Sequence, residues 1–435
     1  MRIIRKYDEN STNKYVYMIL TKYFVTGYKN LKECEVRPKG FHVITGCNGT
    51  GKSNFLETLS FIKLLINGSE DDRSRVFSGT GIDDTQWTPM SSEVDAAPAF
   101  QLEGEIELDD VTWEFNYFLK LTKPVMSDPF TLSTPIYIKS EILKAKEKGK
   151  PGAMKSILAR DKEGKCIAKP EIEARKVEKF NVTGEMSALA ALKIREAADF
   201  ETRYPLTKEF LKGISDARVI SLNPKALLAN NRSYESRIRQ ALLPANQNTI
   251  SSVNLYEKLT LIQSDEFQWE QLCYWAKEIL RISKIQLREK ILELEDGEEV
   301  VNKSLLLTQD DKVLWPYELS NGSVIILALL CLLLQKKSNA SIMLIEEPEA
   351  YIHPKAIVDI VTLMKEVAES GHTIIASTHN PVVLNSLKAN QVTLLSFDGG
   401  NMAHSHLVAE IKEARDVLDR GRINFGDLLQ NDFQS

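Results

Sequence analysis

The chain has 435 residues, 43% hydrophobic and 26% charged, proportions that can bury a sizeable core and exclude global disorder. Its 55 Lys and Arg against 60 Asp and Glu leave a net charge of −5, which excludes a generic polycation for nucleic acid. Cys34, Cys47, Cys166, Cys273 and Cys331 include no Cys-x-x-Cys pair, so a zinc ribbon or a disulfide scaffold is not expected.

In chain order, Met1-Arg2-Ile3-Ile4-Arg5-Lys6 leads into polar residues and reads as no secretory leader. Residues 15–25 and 31–36 read as strands around the turn Gly27-Tyr28-Lys29-Asn30. Phe41-His42-Val43-Ile44-Thr45 is a short buried strand cut off by Gly46. Residues 54–66 then place Phe55, Leu56, Leu59, Ile62, Leu65 and Ile66 at helical spacing. Residues 68–97, rich in Gly, Ser, Asp and Thr, read as a long loop or lid. Residues 100–108 and 111–121 alternate about Asp109-Asp110 and predict a hairpin.

Residues 139–169 hold ten Lys and Arg against four Asp and Glu. With Lys144, Lys146, Lys148 and Lys150 clustered and no aromatic interleaved, they read as a solvated loop or as a backbone-only DNA contact. Residues 180–310 look mixed and mainly helical in pattern, with Trp269 and Trp275 expected in the core of a subdomain. The apolar run Val324 to Leu334 would span roughly 16 Å as a helix, about half a bilayer core. It reads as a buried helix, and the expectation is a soluble, cytoplasmic protein with no membrane partner. A strand at 341–346, a helix at 356–370 and strands at 373–377 and 391–397 follow.

Four motifs carry chemistry. Gly46-Cys47-Asn48-Gly49-Thr50-Gly51-Lys52-Ser53 fits G-x-x-x-x-G-K-[ST], between a buried strand and an amphipathic helix. Glycines let successive N–H groups turn toward one anion, and the helix adds its positive end. Lys52 supplies a charge for the β- and γ-phosphates of a nucleotide and Ser53 a hydroxyl for Mg²⁺. In Ile342-Met343-Leu344-Ile345-Glu346-Glu347, an apolar strand ends in two carboxylates. Glu346 is assigned to Mg²⁺ through water and Glu347 to polarising the attacking water as general base. Ser320-Asn321-Gly322-Ser323 opens the apolar helix; it is a second anion site or an ordinary N-cap. Thr373 to Ser377 is a strand that delivers Thr378-His379-Asn380-Pro381, where a neutral imidazole could bond a γ-phosphate or orient water.

In this order the motifs resemble an ABC-type ATPase head of the SMC/RecF-like branch. The segment Ile345 to Pro354 and the segment Asn48 to Glu57 resemble the stand-alone ATPases of the overcoming-lysogenisation-defect (OLD) group. The resemblance implies a P-loop NTPase of the α/β class. Its mixed central sheet would be flanked by helices, with an antiparallel β subdomain and an inserted mainly helical region. The implied layout is an N-terminal ATPase lobe over 1–121, an insert over 122–310, and a C-terminal ATPase lobe over 311–435. It implies ATP and Mg²⁺ as cofactors, Gly46, Asn48, Gly49, Thr50, Gly51, Lys52, Ser53 and Asn54 around the phosphates, and Glu347, His379 and Lys52 as catalytic groups. Two heads would pair head to tail, as a homodimer or within a larger homo-oligomer. Ser320 and Gly322 of one would then meet the nucleotide of the other, and Glu349 to Pro354 would couple the two sites.

The chain departs from the pattern at Glu346, where Asp is usual, and at Asn321 and Ser323, where a Gly and a Gln or Glu are usual. Gln101 or Gln86 is the candidate for the glutamine loop, and the stretch Phe24 to Lys29 for adenine contacts. Residues 398–435 after the last strand leave no room for an appended nuclease, so any effector is expected to be a separate protein. The resemblance thus implies an ATP-hydrolysing switch for an effector, a nuclease being one candidate, in bacterial anti-phage defence of the Septu or PARIS kind. A RecF-like DNA-binding ATPase and an ATP-binding scaffold with little hydrolysis stay open beside it.

Overall fold

The computed structural model describes residues 18–69, 97–122, 125–128, 131–134, 137–171, 177–224, 227, 252–293, 299–335, 341–397 and 400–411. These divide into two compact units. One comprises the described parts of Met1–Val219, Ala340–Leu344 and Ala368–Ser435, the other those of Ile220–Asn339 and Ile345–Val367.

The first unit opens with β1 (Met18–Thr26), β2 (Cys34–Val36), β3 (Phe41–Thr45) and helix α1 (Lys52–Asn67). β4 (Ala99–Leu108) and β5 (Val111–Leu121) form the expected hairpin. Its turn residues Asp109 and Asp110 both have positive φ, 50° and 62°, which suits the right-handed twist of the strands it joins. A ribbon of β6 (Val125–Asp128) and β7 (Thr131–Thr134) follows. Then come β8 (Ile138–Glu147), β9 (Lys155–Arg160), β10 (Lys165–Ala168) and β11 (Glu178–Asn181). These strands build an antiparallel sheet in the order β11-β10-β9-β8-β5-β4-β1-β2. Along β5, Phe115, Tyr117, Leu119 and Leu121 are buried at every second position, as one core-facing sheet surface requires.

Helices α2 (Ala188–Arg195), α3 (Phe200–Arg203) and α4 (Pro205–Asp216) come next. Phe210 of α4 stacks edge-on against Phe115 at 5.3 Å and tilts over Tyr117 at 5.1 Å. On α1, Phe55, Leu56, Leu59, Ile62, Leu65 and Ile66 are all buried, and Phe61 links Tyr28 and Phe100 into an aromatic cluster.

The basic stretch is therefore not a loop. It forms β8 to β10, and its lysines pair with carboxylates: Lys146 with Glu114 across the sheet, Lys148 with Glu105, and Lys150 with Glu147. Glu141 on β8 is fully buried and accepts hydrogen bonds from Tyr117, Ser187 and the N–H of Ala188 at the start of α2. Burial raises its pKa above the usual carboxylate value, and those donors oppose the rise.

A second sheet carries the motifs. Its order is β12-β16-β17-β3-β18-β19, with β12 (Arg218–Ser221), β16 (Ile342–Glu346), β17 (Thr373–Ser377), β18 (Val392–Phe397) and β19 (Ala403–Leu407). β17 and β18 both run parallel to β3, with Ile374 opposite Phe41 and Leu394 opposite Thr45. All five residues of β3 and of β17 are buried, as central parallel strands demand.

The second unit contains α5 (Ser252–Gln263) and α6 (Glu266–Leu280), the sheet β13 (Ile282–Glu293), β14 (Glu299–Gln309) and β15 (Lys312–Leu314), then α7 (Asn321–Leu334) and α8 (Pro354–Glu369). Every residue of α7 from Val324 to Leu333 is buried, and α7 packs on α5 and α6. Two expectations need correction. Residues 282–293 and 299–309 pair as two long antiparallel strands rather than forming helix: their many Glu, Lys and Leu favour helix locally, and tertiary pairing overrides that preference. Trp269 and Trp275 are only half-buried; Gln268, Leu272, Ala276 and Leu280 take the core face of α6. A short helix α9 (Pro381–Asn385), in the first unit, follows β17 and completes the described helices.

Candidate functional site

β3 ends at Thr45, and the chain turns through Gly46 to Gly51 into α1. Gly46 has φ +147°, and a β-carbon there would lie 2.3 Å from the carbonyl oxygen of Leu395. Gly51, the residue before the helix, has φ +90°; a β-carbon there would lie 2.6 Å from Oδ1 of Asn30. Both positions therefore demand glycine. Thr50 closes the loop from inside: its hydroxyl donates to the Cys47 carbonyl at 2.8 Å. Lys52 is 7% exposed, and its ammonium donates to the carbonyls of Gly46 at 2.7 Å and Cys47 at 2.9 Å. No side chain caps α1, and no carboxylate lies in its first turn. The loop thus brings a buried cation to the N-terminus of a helix whose first turn carries no acid, a combination suited to phosphate.

The turn between β1 and β2 docks on this loop. Asn30 donates from Nδ2 to the Gly49 carbonyl at 3.0 Å, and its Oδ1 accepts from Asn54 at 2.8 Å. Next to it, Lys29 pairs with Glu57 at 2.5 Å, and the Tyr28 hydroxyl donates to the same carboxylate at 3.1 Å. Burial pushes the Tyr28 phenol well above its ordinary pKa, and Glu57 adds to the rise. Tyr28 is 1% exposed, so within Phe24 to Lys29 its ring is a core group and not a surface for adenine. Sequence alone marks Asn30 only as a turn residue and Tyr28 as part of the stretch offered for adenine; the signal it lacks is the approach of this turn to the glycines.

His379 stands at the same edge of the same unit. Thr378 N–H donates to Ile44 O at 3.0 Å, extending the β17–β3 pairing to the start of the phosphate loop. His379 follows and is exposed, while Asn380 caps α9 through the N–H of Val382. Gln101 lies on β4, donating to Glu103 at 2.7 Å. Gln86 lies outside the described residues.

β16 ends at Glu346, and Glu346 and Glu347 are both half-buried. Glu347 has φ +39°, a backbone conformation uncommon for a side-chain-bearing residue. In the second unit, Ser320 is the N-cap of α7, accepting from Ser323 N–H at 3.1 Å. Gly322 packs on the turn after Glu347: a β-carbon there would lie 2.5 Å from the Tyr351 carbonyl oxygen. A cavity of about 360 Å³ adjoins this contact, lined by Arg281, Ser320, Gly322, Ser323, Tyr351 and His353 among others.

Among the described residues, no three His, Cys, Asp or Glu side chains converge as a metal cage. The Ser53 hydroxyl, exposed in the first turn of α1, and the half-buried Glu346 carboxylate at the end of β16 are each a hard oxygen donor of the kind Mg²⁺ takes.

Comparison with known proteins gives three results. A family model described as "AAA domain, putative AbiEii toxin, Type IV TA system" matches residues 41–385. A stretch of 79 residues is 34% identical to the Old nuclease of Escherichia phage P2; it covers 18% of this chain and 13% of that protein. Solved structures of SMC heads are similar at 12% identity. The SMC head bound to the C-terminal winged-helix domain of ScpA gives a TM-score of 0.45 over 89% of this chain and 97% of that one. The Thermotoga maritima SMC head gives 0.38 over 90% and 99%.

Proposed function

Because the chain belongs to the AAA-domain family whose model spans residues 41–385, we propose that it binds and hydrolyses ATP as a switch that pairs two copies and controls a separate effector. A nuclease in bacterial anti-phage defence is the effector class we favour, on the strength of the short stretch shared with the Old nuclease. The observation that carries the reading is the phosphate loop. Lys52 is buried among loop carbonyls at the carboxyl end of β3, and the neighbouring parallel strand β17 delivers His379 to the same edge. Ligands of open α/β sheets sit at that edge.

In the proposed reaction, ATP and water give ADP and phosphate. The loop N–H groups, Lys52 and the N-terminus of α1 bind the β- and γ-phosphates. Glu347 takes a proton from the attacking water, and His379 orients that water or bonds the γ-phosphate. Ser53 and Glu346 would hold Mg²⁺, which supplies positive charge to the transferring phosphoryl group. Ser320 and Gly322 of one copy would meet the nucleotide held by the other, so that ATP holds the pair together and hydrolysis releases it.

The test is steady-state ATP hydrolysis by the wild type and Glu347→Gln, with and without duplex DNA at low salt. The expected result is a loss of roughly 100-fold or more in Glu347→Gln, with ATP-dependent dimers persisting in sedimentation. Undiminished turnover in Glu347→Gln would sink the assignment. Stimulation by DNA would instead favour the DNA-clamp reading, against which the pairing of Lys146, Lys148 and Lys150 with carboxylates weighs.

A further inference from the structure

The strongest feature outside the assigned motifs is the bracket that the β1–β2 turn places across the phosphate loop. Asn30 uses both ends of one amide. Its N–H₂ group donates to the carbonyl of Gly49 at the loop apex, and its oxygen accepts from Asn54 in the first turn of α1. The apex and the helix are thereby tied to one side chain. The tie is itself held: the Asn30 carbonyl accepts from Ala403 N–H at 2.8 Å, Gly27 N–H bonds Leu31 O at 2.9 Å, and Leu31 N–H bonds Tyr28 O at 2.9 Å. Lys29, beside it, is anchored to Glu57 on α1. Gly51 leaves the room that Oδ1 occupies.

We propose that Asn30 is a positioning residue for nucleotide binding, setting the shape of the phosphate loop through the Gly49 carbonyl before a nucleotide arrives. The inference rests on the reading that this loop binds ATP. A trans peptide fixes its carbonyl and the next N–H on opposite sides. Pinning the Gly49 carbonyl therefore sets the orientation of the Gly49–Thr50 peptide in a loop whose glycines would otherwise sample many conformations. Preorganisation of this kind lowers the entropy lost on binding and acts equally on substrate and transition state. It should appear in KM and in ADP affinity rather than in kcat.

The experiment measures ATP and ADP binding by titration calorimetry, hydrolysis kinetics, and the nucleotide-free melting temperature of the full chain. The proteins are wild type, Asn30→Ala, Asn30→Asp, Asn54→Ala, the Asn30→Ala/Asn54→Ala double variant, and Lys52→Ala. Asn30→Ala should weaken ADP and raise the ATP KM about tenfold, with kcat within about twofold. Asn30→Asp should lose more, because a carboxylate cannot donate to the Gly49 carbonyl and places negative charge beside the phosphates. The double variant should lose no more than the worse single variant, because the two amides act through one bridge.

Wild-type affinity in Asn30→Ala, with binding lost in Lys52→Ala, would overturn the inference and leave the ATP reading intact. Additive losses in the double variant would overturn it too. Failure of the wild type to bind ATP, or undiminished binding by Lys52→Ala, would overturn the ATP reading itself. A misfolded Asn30→Ala would show as a lowered nucleotide-free melting temperature, and the Asn30→Asp and Asn54→Ala pair then decides.

Discussion

Two helices begin where phosphate is expected, and they begin differently. α1 starts from Gly51 in a left-handed conformation, with no side-chain cap. α7 starts from Ser320, whose hydroxyl accepts from Ser323 N–H and lies 2.9 Å from the Ser323 hydroxyl. The first N-terminus is shaped by glycines and a buried lysine. The second already uses the oxygen that, in the proposed pairing, would meet a nucleotide. On the proposed reading, one site would be built into the single chain, and the other would have to exchange an internal cap for a ligand. That difference is what a switch needs, since binding at α1 can occur in one copy while engagement at α7 waits for a second.

Lys52→Ala should produce the largest effect. It removes the cation from the loop, and nucleotide affinity should fall by about 100-fold or more, roughly 2.7 kcal/mol, as read by calorimetry. Ser320→Arg tests the other helix. One copy should still bind ATP with near wild-type affinity, while ATP-dependent dimers and turnover disappear. Loss of binding by the single copy would break the contrast, because the two helices would then share one site within a chain.

The strand that carries the loop adds a pH dependence. His42 on β3 is fully buried, its Nε2 2.9 Å from the Thr393 hydroxyl, and burial pushes its pKa down to about 4. In the unfolded chain it titrates near 6.5. Its folded value is depressed, so the stability it contributes is intact above about pH 6.5 and is lost as pH falls toward 4, at most about 3 kcal/mol. Melting temperatures between pH 7.5 and 4.5 should fall more steeply in the wild type than in His42→Gln; equal slopes would remove His42 as the cause.

Much of this architecture is legible in the residues, for identifiable reasons. β3 and β17 are buried on both faces and read as short runs, apolar but for His42 on β3, that end in polar groups, and the glycine spacing from Gly46 to Gly51 follows from backbone geometry. The pairing of β13 with β14 is illegible because Glu, Lys and Leu favour helix locally, and only pairing across the strands settles the matter. The lysines from 144 to 150 advertise a basic patch, because the carboxylates that pair with Lys146 and Lys148, Glu114 and Glu105, are far away in sequence. Asn30 is illegible for the same reason. Nothing in Gly27-Tyr28-Lys29-Asn30 says that its turn will rest against Gly49.

The smallest expected effect separates the two roles of Ser320. As a cap, its oxygen stabilises the start of α7; Ser320→Ala should cost about 1 kcal/mol and Ser320→Gly only a few tenths. Amide exchange over residues 321–326 would read this, since losing a cap frays the first turn without unfolding the chain. As a ligand in the paired state, the same oxygen is missing from both variants, so turnover should fall alike in Ala and Gly even though their caps differ. A residue that only capped would give the opposite pattern, with activity following stability and Gly close to wild type. Equal loss of turnover at unequal loss of protection therefore assigns the hydroxyl to the nucleotide, and turnover that tracks protection leaves α7 with an ordinary cap.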